Sequence, residues 1–345
     1  MLVLLTLPFP YYLIQTSWNI SSDSEILYWI SLCLFSFAVM FSFLISKLKH
    51  ALNIDIFLRT IIAYILSIFL LKYGVDKLLL QQFYTPKPNT LFTPVGELSK
   101  DILFWTSMGT STTYNWFMAV LEIIPGILLL HSKTRQLGAL IGAGVLLNVF
   151  MINVGFNISV KLFSFYLLAS SIYLIQPALL KLFQFLVLRK EVQLNPELSL
   201  LREKLITKRI LKSAVICFIA LEITLPYLNQ PFEQNEFIGA YELESPGLIF
   251  GQRVKRIYIH SDDFFIIESI HGQFTDFKSS ITGNYIHLLN KKTGFQINRK
   301  NNLTEFRSIG NNEGISIITK RIEINKLPLM QDDFHWTVEG MIGSN

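Results

Sequence analysis

The sequence predicts an α-helical integral membrane bundle of about six spans, followed by a C-terminal antiparallel all-β domain. Three observations carry this. Six long apolar stretches fill the first two thirds of the 345 residues, and a helix needs roughly 20 mostly apolar residues to cross a bilayer. The composition is 51% hydrophobic and 16% charged, with a mean hydropathy of +0.42, whereas soluble domains carry about 25% charged residues. From about Phe237 the apolar runs give way to short alternating segments separated by turn residues.

In chain order, the spans read as Ile26–Ile45, Ile56–Leu71 (running on to about Leu80), Tyr114–Leu130, Leu137–Val154, Ser159–Ile175 and Ile210–Leu228. Residues 1–25 form an apolar N-terminal segment, residues 26–228 the transmembrane domain with a basic linker at 181–209, and residues 237–345 the β domain. The stretch Met1–Ile14 has no basic n-region or small-residue cleavage site, and Pro8 and Pro10 break it. It reads as a half-span or a truncated helix rather than a signal peptide.

The connecting loops alternate in charge. Lys47, Lys49 and His50 follow the first span, Lys133 and Arg135 separate the third and fourth, and a series from Lys181 to Lys212 follows the fifth. Asp23 and Glu25 precede the first span, Gly155–Ile158 is uncharged, and Glu233 and Glu236 follow the last. Lys and Arg are retained on the cytoplasmic side during insertion. The pattern therefore predicts a multi-pass protein of a bacterial cytoplasmic (inner) membrane, with both the start and the tail extracytoplasmic. The net charge of +5 belongs to these loops. With no basic groove motif beside it, it does not point to nucleic acid.

In the tail, Arg253–His260, Asp263–Ile270, Asn284–Leu289, Phe295–Arg299, Glu305–Ile309 and Gly314–Ile324 alternate or are rich in β-branched and aromatic residues. Gly, Asn, Asp and Ser punctuate them. Such spacing predicts an antiparallel sheet, a sandwich or a small barrel, whose interior is either packed or open to a ligand.

Candidate chemistry lies in the spans, where polar groups are expensive and usually face the bundle interior. Lys72, Asp76 and Lys77 fall toward the outer end of the second span, and Glu122 about two turns into the third. Asn148 and Asn153 lie on the outer half of the fourth, and Asn157 and Lys161 at the outer start of the fifth. Four consecutive helices thus bring polar groups to one depth. This predicts a polar cavity near the outer leaflet, with Glu122 its deepest carboxylate and Lys72, Lys77 or Lys161 the partner. Two bland readings stand beside it: Lys77 and Lys161 snorkel to the interface, or a Glu–Lys pair simply locks helices together. Arg59 reads as an anchor at the cytoplasmic end, and Pro125-Gly126 as a kink just after Glu122.

The two cysteines, Cys33 and Cys217, lie inside apolar segments without a CxxC and read as small buried hydrophobes. His260, His271, His287 and His335 show no metal-ligand spacing, so no metal is implied. Phosphate loops, nucleophile elbows and HExxH motifs do not occur.

Tyr73–Ile175 resembles the DoxX-like family of four-helix membrane proteins in its longer form, as in Bacteroidetes-type genomes, with a core at about 56–180. The carriers are Gly74-Val75-Asp76-Lys77-Leu78, Trp105–Ser111 with Tyr114, Glu122 within Leu121–Leu130, Lys133-Thr134, Leu137–Leu140, Asn148, Asn153 and Val160-Lys161-Leu162. Asp333–Glu339 is similar to the Phe-His-Trp-x-x-Glu close of the longer members, and Pro8-Phe9-Pro10 to a segment that follows an extra first helix in relatives. Where those relatives carry an Asp-x-Pro-x-Lys turn, this chain has Asn157–Lys161 and lacks the carboxylate. The resemblance implies a membrane protein of a family in which some members are linked to quinone-dependent sulfur oxidation or to redox partnerships at the membrane.

The functional expectation is an accessory or binding protein. It holds a lipid, a quinone or a small hydrophobic ligand in the outer half of the bundle, and its β domain meets a membrane or periplasmic protein partner. A quinone-linked redox subunit that draws electrons from a partner is the alternative, followed by a solute transporter or a structural anchor for the β domain. No enzymatic constellation is visible, and the one cofactor the pattern invites is a quinone.

Overall fold

The computed structural model describes residues 23–46, 51–191, 212–213, 215–217, 220–221, 224, 236–289, 291, 293–300, 303–310 and 316–331. The chain divides into two compact units. One comprises Met1–Phe83 and Thr113–Asn229, the other Tyr84–Thr112 and Gln230–Asn345.

The first unit is helical: α1 (Glu25–Ser46), α2 (Ala51–Leu78), and, after the Tyr84–Thr112 segment with its helix α3 (Lys100–Gly109), α4 (Thr112–Leu129), α5 (Arg135–Gly155) and α6 (Lys161–Leu186). Among the described residues, four helices are long and apolar enough to cross a membrane: Asp55–Leu78, Thr112–Leu129, Arg135–Gly155 and Lys161–Leu179. They match the second to fifth expected spans, and α1 covers the first. The sixth expected span, the N-terminal segment, most of the basic linker and the Asp333–Glu339 motif fall largely or wholly outside the described residues.

Apolar surface gives no driving force between helices in lipid, so small residues and interhelical hydrogen bonds must bring them together. That is how α2 and α4 pack, running antiparallel. The Ser67 hydroxyl donates to the Gly126 carbonyl at 2.6 Å. A Cβ on Gly126 would stand 2.9 Å from Leu71, and one on Gly74 would stand 2.6 Å from Ile123 and 3.1 Å from the Ala119 carbonyl. On α5, Gly138 fits against Leu128, Leu129 and Pro125, and Ser171 of α6 donates to the Ala139 carbonyl at 2.7 Å. Around these contacts Ile62, Leu66 and Leu70 pack with Leu129, Leu146, Leu167 and Leu174. Cys33 and Cys217 correct the sequence expectation of burial: both are exposed.

The second unit contains a closed barrel of eight antiparallel strands in sequential order, β1 (Gly239–Ile249), β2 (Gln252–Ile259), β3 (Phe264–Ser269), β4 (Phe274–Thr282), β5 (Tyr285–Leu288), β6 (Thr293–Lys300), β7 (Leu303–Gly310) and β8 (Ser316–Ile322), with β8 returning to pair with β1. Closure removes the sheet edges that would otherwise template aggregation. An eight-strand barrel has an interior just wide enough for side chains to fill, and here aromatic rings fill it. Phe265 stacks on Phe295 at 5.2 Å between centroids, and Tyr241 meets Phe306 edge-on at 5.3 Å. Val254, Ile257, Ile267, Ile286 and Ile297 complete the core. Val254 and Ile257 both point inward although three positions apart, because a bulge interrupts the β2–β3 register between Val254 and Arg256.

The Tyr84–Thr112 segment is built into this unit. It carries two short 3-10 turns, Thr90–Phe92 and Val95–Glu97, and then α3. Gly109 closes it tightly, since a Cβ there would lie 2.2 Å from the Tyr84 carbonyl oxygen. Phe92 covers an apolar patch on the outer barrel face made by Ala240, Tyr258 and Ile266.

Candidate functional site

The close approach at Gly74 positions the central feature of the helical unit. Gly74 faces Ala119 and Ile123, and this close approach of α2 and α4 brings Lys77, one turn on from Gly74, within reach of Glu122, whose side chain leans back toward the start of α4. Lys77 Nζ donates to Glu122 Oε2 at 2.8 Å, and each residue is 3% exposed. The pair sits well inside: Glu122 is ten residues into α4, about 15 Å along its axis.

Lys77 also donates to Gln82 Oε1 at 2.7 Å, and its ammonium lies 5.8 Å from the Tyr73 ring centroid and 5.5 Å from that of Phe83. Asn115, seven residues before Glu122 on the same face of α4, is also buried. Beside this group, Lys72 bonds Asp76 at 3.0 Å, one turn apart on α2.

The other expected site residues are distributed differently. Lys161 pairs with Asp23 rather than with Glu122. The Asp23 carboxylate accepts the backbone N–H of Lys161 at 3.1 Å and that of Leu162 at 3.3 Å, and lies 3.5 Å from Lys161 Nζ. It caps the N-terminus of α6, where partial positive charge collects. A carboxylate thus reaches the Asn157–Lys161 turn from a residue 138 positions away in the chain. Asn157 is exposed with φ 55°, a left-handed turn conformation that Asn tolerates better than most residues. Asn153 is buried, whereas Asn148 is exposed on α5. The structure therefore joins Lys77 to Glu122 and Lys72 to Asp76, sets Lys161 apart, and turns Asn148 and Asn157 outward. Lys77 does not snorkel.

At the opposite end of the bundle, Arg59 is tied inward. It bonds Asp55 at 2.8 Å, the Tyr173 carbonyl at 2.7 Å and Gln176 at 3.3 Å, and it stacks over the Tyr173 ring at 4.1 Å. The Tyr173 hydroxyl donates to Asp55 at 2.5 Å. An apolar groove of about 330 Å³ lined by Phe165, Leu168, Ala169, Ile172, Tyr173 and Gln176 runs along α6; it includes neither Lys77 nor Glu122.

The barrel unit has its own polar cluster, on its outer face. Arg256 bonds both Glu268 oxygens at 3.2 Å, lies 3.4 Å from Glu242, and stacks on Phe92 at 4.5 Å. The Tyr258 hydroxyl donates to Glu268, and burial together with that bond pushes it far above the usual phenol range. Lys87 bonds Asp262, whose other oxygen lies 3.7 Å from His260 Nδ1. Burial, reinforced by the Lys87 charge, holds buried His260 below the ordinary histidine value against the opposing pull of Asp262. Burial raises Asp262, but the Lys87 bond, its own backbone N–H and the nearby cations outweigh this and hold it low. These contacts fasten the Tyr84–Thr112 segment to the barrel.

Sequence reasoning picks out Lys77 and Glu122 because charges inside apolar runs are conspicuous. Gln82, Asn115 and Asp23 escape it. Gln82 lies just beyond the apolar run, Asn115 is an uncharged residue near a helix start, and Asp23 meets its partners only through the fold.

Comparison with known proteins adds little to the geometry. No family model matches the chain, and no solved structure matches it. An uncharacterized protein of Bacillus subtilis (strain 168), YwoB, is 31% identical over 98 residues, which is 26% of this chain and 56% of that protein. The match thus spans little more than half the length of that relative.

Proposed function

We propose that this chain is a polytopic membrane protein of the DoxX-like kind whose helical unit binds a hydrophobic ligand carrying a carbonyl, either a quinone or a lipid ester, at Lys77 and Glu122. The observation that carries this reading is the ion pair itself, 2.8 Å long and 3% exposed at both residues. Removing two charges from water costs several kcal/mol per ion, and apolar residues of similar volume often serve stability as well or better. A donor and an acceptor held side by side, with Tyr73, Phe83 and Gln82 around the ammonium, suit a carbonyl or hydroxyl on an apolar body. Such a site is built from apolar and aromatic walls and a few placed polar groups. The role is accessory or binding; in the redox alternative, electrons come from a membrane or periplasmic partner.

Native mass spectrometry with lipidomics on gently extracted protein tests this. The expected result is one quinone or lipid per chain in the wild type and none in Glu122→Gln. A wild type without any bound molecule would leave the pair as a lock between α2 and α4.

The same reading places the barrel outside the cell. The Tyr84–Thr112 segment links α2 to α4 at one membrane face and belongs to the barrel unit, while the alternating Lys and Arg loops assign that face to the outside. After α6 the chain must then cross once more, or another odd number of times, before β1. In a variant with Cys33 and Cys217 replaced, cysteines at Val95 and Leu329 should both label from outside, and one at Lys133 only after permeabilisation. Labelling of Val95 and Leu329 from opposite sides would refute this topology.

A further inference from the structure

Gln82 occupies Lys77 by way of an unusual helix ending. The N–H of Gln81 bonds the Asp76 carbonyl at 2.8 Å, and that of Leu80 bonds the Lys77 carbonyl at 3.1 Å. This is the double bond pattern of a Schellman ending, in which the residue at the left-handed position is usually glycine. Here it is Leu80, at φ 57°, a conformation that branched, bulky side chains avoid. The turn folds the chain back over the last turn of α2. The half-buried Gln82 then lays its amide oxygen on Lys77 Nζ at 2.7 Å, beside Glu122 at 2.8 Å. Two of the three ammonium donors are thereby taken by side-chain oxygens.

We propose that Gln82 is a built-in stand-in for the ligand. Its amide carbonyl fills the acceptor position on Lys77 that an incoming ligand carbonyl takes, and release of the strained Leu80–Gln82 turn opens the site. This rests on the reading of Lys77 and Glu122 as a ligand site. It narrows the ligand class to carbonyl acceptors on an apolar body and makes binding a competition, so that apparent affinity falls by the fraction of molecules in which the latch is open. The chemistry explains the choice of side chain. An amide oxygen bonds an ammonium well enough to satisfy it when no ligand is present. Unlike a carboxylate, it adds no second negative charge to hold Lys77 permanently.

The test is equilibrium binding to the full chain in lipid nanodiscs, with short-chain ubiquinone as one probe and dioctanoylglycerol as the other, which separates a quinone from a lipid ester. For whichever probe binds the wild type, Gln82→Ala should bind about tenfold tighter, in keeping with loss of one charge-assisted hydrogen bond. Gln82→Glu should bind more weakly than wild type, and Lys77→Met should not bind. If Gln82→Ala and Gln82→Glu both bind as the wild type does, the latch is wrong while the site stands. If neither probe binds the wild type or Gln82→Ala, the ligand site itself falls. Thermal melting of both Gln82 variants close to wild type confirms that the comparison concerns the site and not the fold.

Discussion

The two units bury different things. In the barrel, Phe265, Phe295, Phe306 and their neighbours form an interior of apolar and aromatic side chains, and the buried carboxylate Glu268 stays on the outer face under Arg256 and Tyr258. The helical unit instead encloses Lys77 and Glu122 between α2 and α4. Aromatic packing needs no partner to satisfy it, whereas an enclosed ion pair depends on both members and on every hydrogen bond around them. A unit made only to hold helices together has cheaper means, and this one already uses them at Ser67–Gly126 and Ser171–Ala139. The proposed site therefore draws on the enclosed charges of the bundle, whereas the barrel interior is filled by its own side chains.

Substitutions that strand a charge should have the largest effect. Glu122→Leu leaves Lys77 enclosed without its carboxylate and should cost about 3–5 kcal/mol, seen as a large drop in melting temperature. The Lys77→Met/Glu122→Leu double variant should recover most of it. If the double variant is no more stable than the single one, the cost lies in packing rather than charge.

In the barrel the matching change is Phe306→Ala. Phe306 is fully buried against Tyr241 and Phe295, and its truncation should cost about 3–5 kcal/mol. Hydrogen exchange should show the loss confined to β1–β8. Spread of the effect into α2 and α4 would contradict the independence of the two units. A smaller effect is expected for Gly74→Ala, whose new methyl meets Ile123 at 2.6 Å. Overpacking of this kind costs about 1–3 kcal/mol, and Ile123→Val alongside should relieve part of it.

The weakest change concerns the clip between Lys87 and Asp262. Both side chains are partly exposed, so Lys87→Ala should cost only about 0.2–1 kcal/mol. Its pH dependence is more telling. Because folding depresses His260, the unfolded segment takes up a proton first. The stabilisation is complete above the ordinary histidine value of about 6.5 and declines as pH falls from there toward the depressed folded value. Asp262, also depressed, adds a second loss only as pH drops below the usual carboxylate range of about 3.9. Hydrogen exchange at residues 84–92 should therefore speed up on acidification from pH 7 to 5 relative to the barrel core, and His260→Gln should flatten that response.

Much of the fold can be read from the chain. The apolar runs give the first, third and fourth spans to within a turn, whereas the helix of the second begins earlier, at Ala51, and that of the fifth runs on to Leu186; alternation gives β2, β3 and β5 to β8. β1 escapes because Ser245-Pro246-Gly247 reads as a turn, yet the strand passes through it with a shift in its pairing to β2 between Glu242 and Gly247. β4, Phe274–Thr282, escapes because much of it is half-exposed and polar. For the site, burial of charge in apolar sequence is a local signal and picks out both Lys77 and Glu122. The choice among Lys72, Lys77 and Lys161 is a long-range matter, decided by the glycine contact at Gly74 and by Asp23 capping α6.

The most direct measurement is a charge swap, Lys77→Glu/Glu122→Lys, compared with wild type by native mass spectrometry and thermal melting. It keeps an ion pair between α2 and α4 but reverses donor and acceptor and removes the ammonium from Gln82. The account predicts a folded protein that melts near wild type and has lost the bound molecule. A swap that retains the same molecule, or a wild type equally empty, would make the pair a structural lock and contradict the assignment.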